Sequence, residues 1–146
     1  MAYILISFIE TLSKIYTTMR ATMISTKKSV RSVILIEDDD LLRLSIGRFL
    51  ALYDLDVKIY ASGEEALRAI CDDTCDIIIT DFNLPGMNGL ELVKIMRNRN
   101  ITTPVILVSA IQGSDFETTA LTLGIAAVFT KPLNIEELKE QIDRLI

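Results

Sequence analysis

The sequence predicts an α/β domain: an open, doubly wound sheet of five parallel strands alternating with five helices. Three observations predict it. Five short runs read as continuous, largely apolar stretches, which marks strands covered on both faces and hence a parallel sheet. Between these runs, apolar residues recur three and four apart, the spacing of one helix face. Ser, Asp, Asn and Gly stand at the changeovers, where helices are capped and terminated. Right-handed crossovers then wind the helices onto both faces.

The elements follow in order. The first strand is VILI, residues 33–36. Leu42, Ile46, Phe49, Leu50 and Tyr53 come next at helical spacing, with Asp40 expected as the cap. VKIY, residues 57–60, is the second strand. In SGEE, Ser62 stands three residues before Glu65, a capping box that opens a helix reaching about Ile70. DIIIT, residues 76–80, is the third strand, and the helix after it runs from Gly89 to about Asn98 with Leu92, Ile95 and Met96 inward. PVILVS, residues 104–109, is the fourth strand; proline suits a strand's first position. SDFE, residues 114–117, reads as a second capping box, and Phe116, Thr119, Ala120 and Leu123 form a stripe that Gly124 ends. AAVFT, residues 126–130, is the fifth strand, and NIEE, residues 134–137, caps a last helix carrying Ile135, Leu138, Ile142 and Leu145.

Composition narrows the function. The 146 residues suit one domain with a short appendage, and half of them are apolar, enough for a full core. A net charge of −5 offers no basic footprint for nucleic acid. Cys71 and Cys75 are too few for a disulfide scaffold and have no partners for zinc, so reduced thiols in a cytoplasmic protein are expected. There is no histidine, hence no Ser-His-Asp relay and no phosphohistidine of the chain's own. Neither GxGxxG nor GxxxxGK[ST] occurs, so dinucleotide and P-loop nucleotide binding are not indicated.

The first thirty residues differ from the rest. The apolar run from Tyr3 to Ile9 is far shorter than a membrane span and lacks a preceding basic region. Leu5, Ile9, Leu12, Tyr16 and Met19 fall on one helical stripe. Residues 1–30 are read as an N-terminal extension, helical or disordered, with Met19 or Met23 as an alternative start. The competing reading is an amphipathic helix that docks on a partner or on the domain.

The strand ends carry the chemistry. Glu37, Asp38, Asp39 and Asp40 follow the first strand, and Asp81 follows the third. Ser109 ends the fourth, and Lys131 with Pro132 follows the fifth. In a doubly wound sheet these ends share one edge, the edge where ligands bind. Each residue alone has a plain explanation as a turn, cap or solvated loop residue; their convergence does not. Clustered carboxylates repel unless a cation joins them. A hard dication with oxygen ligands, Mg²⁺, suits the group. Asp81 could then act as a nucleophile towards a phosphoryl group, with Lys131 neutralising the transferring oxygens.

VILIEDDDLLR, IIITDFNLPGMNGLEL, VILVSA and FTKPL, in this order and spacing, resemble the receiver domain of bacterial two-component response regulators, of the chemotaxis-regulator type. The resemblance covers residues 31–146 and implies a flavodoxin-like sheet of strand order 2-1-3-4-5. It implies Asp81 as the phosphoacceptor. Asp38 and Asp81 would be direct ligands of Mg²⁺ or Mn²⁺, with Glu37 reaching the metal through water and Asn83 offering its backbone carbonyl. Ser109 would be the switch hydroxyl and Lys131 the partner of the phosphoryl group, with Pro132 setting its loop, often through a cis peptide. The implied donor is a sensor histidine kinase or a histidine phosphotransfer protein. Leu41 and Leu44, off the core stripe, are expected to give that donor an apolar contact. In the family the residues two after the hydroxyl and two after the acceptor, here Ile111 and Asn83, influence how long the phosphoryl group lasts. One departure concerns the switch aromatic three residues before the lysine, where Val128 stands instead; Phe129 is expected to face the core. A downstream protein would read the face around Val128.

The expected role is a phosphorylatable switch that is not an enzyme acting on other substrates, with no output domain, no nucleic-acid contact and no membrane span in the chain. The alternatives are a receiver belonging to a longer regulator and a Mg²⁺-dependent phosphohydrolase. The second usually carries another acid two residues after the nucleophile, where this chain has Asn83. A flavin binder of the same fold is a third reading.

Overall fold

The computed structural model describes residues 10–18 and 30–146. Residues 10–18 form a helix, α1, with Leu12, Ile15 and Tyr16 all exposed. Leu5, Ile9 and Met19, the rest of the expected stripe, lie outside the described residues. Strands and helices then alternate: β1 (Arg31–Ile36), α2 (Asp40–Ala51), β2 (Leu55–Tyr60), α3 (Gly63–Asp72), β3 (Ile77–Asp81), α4 (Gly89–Asn98), β4 (Val105–Ser109), α5 (Ser114–Thr122), β5 (Ala127–Thr130) and α6 (Ile135–Leu145). The described helices therefore number six where five are expected, because the extension contributes α1. No helix among the described residues is long and apolar enough to cross a membrane.

The strand order is β2-β1-β3-β4-β5, and every pairing is parallel. Residue parity divides the apolar runs between two cores. Ile34, Ile36, Ile78, Val105 and Leu107 pack beneath α3, α4 and α5. Val33, Leu35, Ile77, Ile79, Ile106 and Val108 pack beneath α2 and α6. This is the period-two geometry of a strand, applied to runs buried on both sides.

Helix starts follow local hydrogen bonding. Asp39, not Asp40, caps α2, its side chain accepting the Leu42 N–H at 2.8 Å. Asp40 is already helical, and its carboxylate turns to Arg43 instead. Ser62 caps α3, accepting the Glu65 N–H, which is one half of the expected box. Asn88 and Glu91 form a reciprocal capping box on α4. The expected box at Ser114 does not form: Gly113 occupies the cap position with φ +136°, and its carbonyl accepts the Glu117 N–H. The glycine reaches a left-handed conformation that lets the helix begin one residue early, with no side chain to cap it. Helix α5 is accordingly light in its anchoring, and Ala120 is its one fully buried residue.

Candidate functional site

Parity also builds the site. Glu37 lies two residues beyond Leu35 and Asp81 two beyond Ile79, so both carboxylates continue the face under α2 and α6. Glu37 and Asp81 are almost completely buried, each 4 % exposed. The Lys131 ammonium, carried by the turn after β5, donates to Asp81 Oδ2 at 2.6 Å and lies 3.6 Å from Glu37 Oε2. Asp38 is exposed at the start of the β1–α2 turn. Carboxylate oxygens of Glu37, Asp38 and Asp81 fall within 4.8 Å of one another. Charged residues that are about fifty positions apart in the chain thus meet at the carboxyl edge of the sheet.

The electrostatics follow from burial and pairing. Burial pushes the Glu37 carboxyl up to about 7; the Asp39 N–H pulls it down, the Asp81 charge pushes it further up, and the Lys131 ammonium pulls it back. Burial pulls the Lys131 ammonium down, but its hydrogen bond to Asp81 and the charges of Asp81 and Glu37 outweigh that and hold it above the ordinary lysine value. Two buried acids share one cation. The donors are carboxylates, with no sulfur or imidazole among them, which suits Mg²⁺ or Mn²⁺ far better than zinc or copper.

The other expected residues stand as follows. Asn83 follows Asp81 in the turn after β3, where its N–H donates to Asp81 Oδ1 at 3.1 Å. Ser109 is buried at the end of β4, and its hydroxyl accepts the Ile111 N–H at 2.9 Å. The hydroxyl is therefore engaged by its own loop rather than by Asp81. The Lys131–Pro132 peptide is cis. Val128 is exposed on the outer face of β5, while Phe129 packs with the core beneath α2 and α6. Leu41 is 80 % exposed and Leu44 41 %, both on α2 beside the acidic turn.

Two contributors are missing from the sequence reading. Arg43 pins the acidic turn, donating to the Glu37 carbonyl at 2.7 Å and the Asp38 carbonyl at 3.3 Å while pairing with Asp40. The cue is its place three residues after Asp40, neighbours on a helix surface. Gly89 is the other. A Cβ there would lie 2.6 Å from the Asp81 carbonyl oxygen, so α4 can start against the acceptor's own backbone only because the side chain is missing. Its cue is the PGMNG turn, which announces flexibility but not this contact.

Comparison with known proteins identifies the family and the fold. The family model of the response regulator receiver domain matches residues 33–143. The regulatory protein CiaR of Streptococcus pneumoniae is 36% identical over 114 residues, 78% of this chain and 50% of that protein. The transcriptional regulator NtrC of Klebsiella pneumoniae is 32% identical over 112 residues, 77% of this chain and 24% of that protein. The chain thus spans a half or less of these curated relatives. Among solved structures, the receiver domain of the Francisella response regulator 1452 superposes with a TM-score of 0.76 at 31% identity, covering 79% of this chain and 95% of that one. Chemotaxis protein CheY4 of Vibrio cholerae gives 0.75 at 26% identity, covering 81% and 100%. The chain belongs to the response regulator receiver family.

Proposed function

We propose that this receiver domain takes a phosphoryl group onto Asp81 from the phosphohistidine of a partner protein, with a divalent metal present, and that the resulting acyl phosphate is the signal. The observation that carries the reading is a nearly buried carboxylate held by one ammonium beside two further carboxylates, at the ligand-binding edge of the sheet. Transfer is balanced as a single displacement. An Asp81 oxygen forms the new O–P bond while the N–P bond of the donor imidazole breaks, and the imidazole nitrogen keeps that electron pair. The Asn83 N–H and the Lys131 ammonium each hold one Asp81 oxygen and so fix the carboxylate's orientation. Lys131 then neutralises a phosphoryl oxygen. The Ser109 hydroxyl accepts the Ile111 N–H, which leaves its own proton for a phosphoryl oxygen.

Mg²⁺ would be held directly by Asp38, Asp81 and the Asn83 carbonyl, and through water by Glu37. When bound it supplies charge neutralisation for the phosphoryl oxygens. The donor is a sensor histidine kinase or phosphotransfer protein, since the chain has no histidine, and a cytoplasmic location goes with it. The reader of the signal is proposed to dock around Val128, where α5 is lightly anchored.

The test is incubation with a small-molecule phosphodonor and Mg²⁺, read by intact mass and peptide mapping. One hydroxylamine-labile phosphoryl group on Asp81 is expected, absent with chelator and absent in Asp81→Asn. Undiminished phosphorylation of Asp81→Asn would overturn the proposal. A second reading, in which this receiver governs an attached output segment, is favoured by the small fraction of each curated relative that the chain spans. Sequencing the full gene decides it.

A further inference from the structure

We propose that the apolar chamber beneath the carboxylates binds a small molecule with an apolar body and a cationic, hydrogen-bond-donating head: an amine carrying about one ring. The chamber measures about 290 Å³. Its apolar wall includes Leu42 and Ile46 of α2, Ile79 and Val108 of the sheet, and Leu133 after β5. Glu37, Asp81 and Lys131 line it as well. Strand parity explains that combination, since the two acids extend the row of residues that includes Leu35 and Ile79.

The chamber is partly open to solvent, so a ligand can enter it without unfolding the core. Water gains hydrogen bonds at the charged end, from Glu37, Asp81 and Lys131, but none from the aliphatic wall. Small-molecule sites have this form, a mostly apolar concavity with a few convergent polar groups. The volume is at the low end of that class, which suits one ring rather than a nucleotide. Charge selects the head. The rim presents two carboxylates to one ammonium, and that ammonium bonds Asp81 while standing 3.6 Å from Glu37. Arg43, the cation of the neighbouring turn, is committed to Asp40 and to the carbonyls of Glu37 and Asp38. An ammonium head can donate a hydrogen bond to a Glu37 oxygen, whereas a carboxylate head would be set against the Asp81 carboxylate and its neighbour.

The amine would contact the same acids that the metal needs, so each should weaken the other by the same factor. The proposal goes beyond phosphotransfer: it depends on the chamber and its charges, and stands whether or not Asp81 is the acceptor. The experiment is methyl NMR on the full chain with chelator, titrated with benzylamine and, separately, benzoate. Benzylamine should shift the methyls of Ile46, Ile79, Val108 and Leu133 saturably, and benzoate should bind about tenfold or more weakly. Added Mg²⁺ should weaken benzylamine. Ile46→Phe fills the chamber and should abolish those shifts while Mg²⁺ binding and phosphodonor loading continue. Leu42→Phe, from a half-buried position, does the same with less risk to the core. No saturable shift with benzylamine, equal affinity for benzoate, shifts confined to another surface, or wild-type binding in both variants would overturn the proposal.

Discussion

Gly89→Ala tests how the acceptor is positioned. The added methyl would stand 2.6 Å from the Asp81 carbonyl oxygen, 2.8 Å from Leu107 Cδ1 and 3.1 Å from Phe82 Cα. Comfortable separations start near ~3.5 Å, so the overlap with the backbone oxygen approaches an ångström. Leu107 can turn aside, but the carbonyl belongs to a buried strand end and accepts the Thr80 hydroxyl at 3.0 Å. The Gly89 N–H is itself tied to the Phe82 carbonyl at 2.9 Å, which resists a shift of the helix. Overpacking of this kind costs about 1–3 kcal/mol. The better helix propensity of alanine offsets less than its full ~1 kcal/mol, because Gly89 is the first helical residue. The expected net loss of stability is about 1–2 kcal/mol, read from urea denaturation with chelator. Phosphodonor loading should slow as well, by up to ~10²-fold for a displacement near 1 Å. Stability within ~0.5 kcal/mol of wild type, with unchanged loading, would show that the close approach constrains nothing.

Burial of Glu37 predicts a pH effect. Its folded pKa is raised from 4.5 to about 7, so its contribution to stability is complete below about pH 4.5 and is lost as pH rises through 7. That amounts to about 3 kcal/mol for the metal-free protein, and Glu37→Gln should flatten the dependence; parallel urea midpoints for both proteins at pH 5 and pH 8 would contradict this. Mg²⁺ affinity should fall more in Asp38→Ala than in Glu37→Gln, with Asp39→Asn near wild type, and a titration in which all three match would refute the ligand assignment. Leu44→Ser, at an exposed position on α2, should slow transfer from a phosphohistidine protein and leave small-molecule loading intact; equal loss in both would indicate a folding defect. Ile111 offers no polar side chain to orient a hydrolytic water, so Ile111→Glu should change the phosphoryl lifetime, about tenfold for ~1.4 kcal/mol of barrier; identical decay after donor removal would show that this loop does not gate water.

Much of this protein was legible in its residues because strand parity and helix spacing are local properties. Five largely apolar runs implied a parallel sheet covered on both faces. Strands β1, β3 and β4 are buried that way, whereas the edge strands β2 and β5 are half-exposed because each has a neighbour on one side alone. The topology rules for such sheets put Glu37, Asp38, Asp81, Ser109 and Lys131 on one edge without any coordinates. The departure at Val128 was equally visible, since alternation alone sends Phe129 to the core. Packing decided what lies between distant residues. That Lys131 bonds Asp81 more closely than Glu37, that the Ser109 hydroxyl is engaged by Ile111, and that Gly89 touches the acceptor's carbonyl all depend on how separate elements settle together. Helix starts fell in between. Asp39 and Asp40 are chemically the same cap, and only the backbone's entry angle and the pull of Arg43 chose the first. The chamber under the acids is the clearest case: no residue announces a space, because a void is a property of the surfaces that fail to meet.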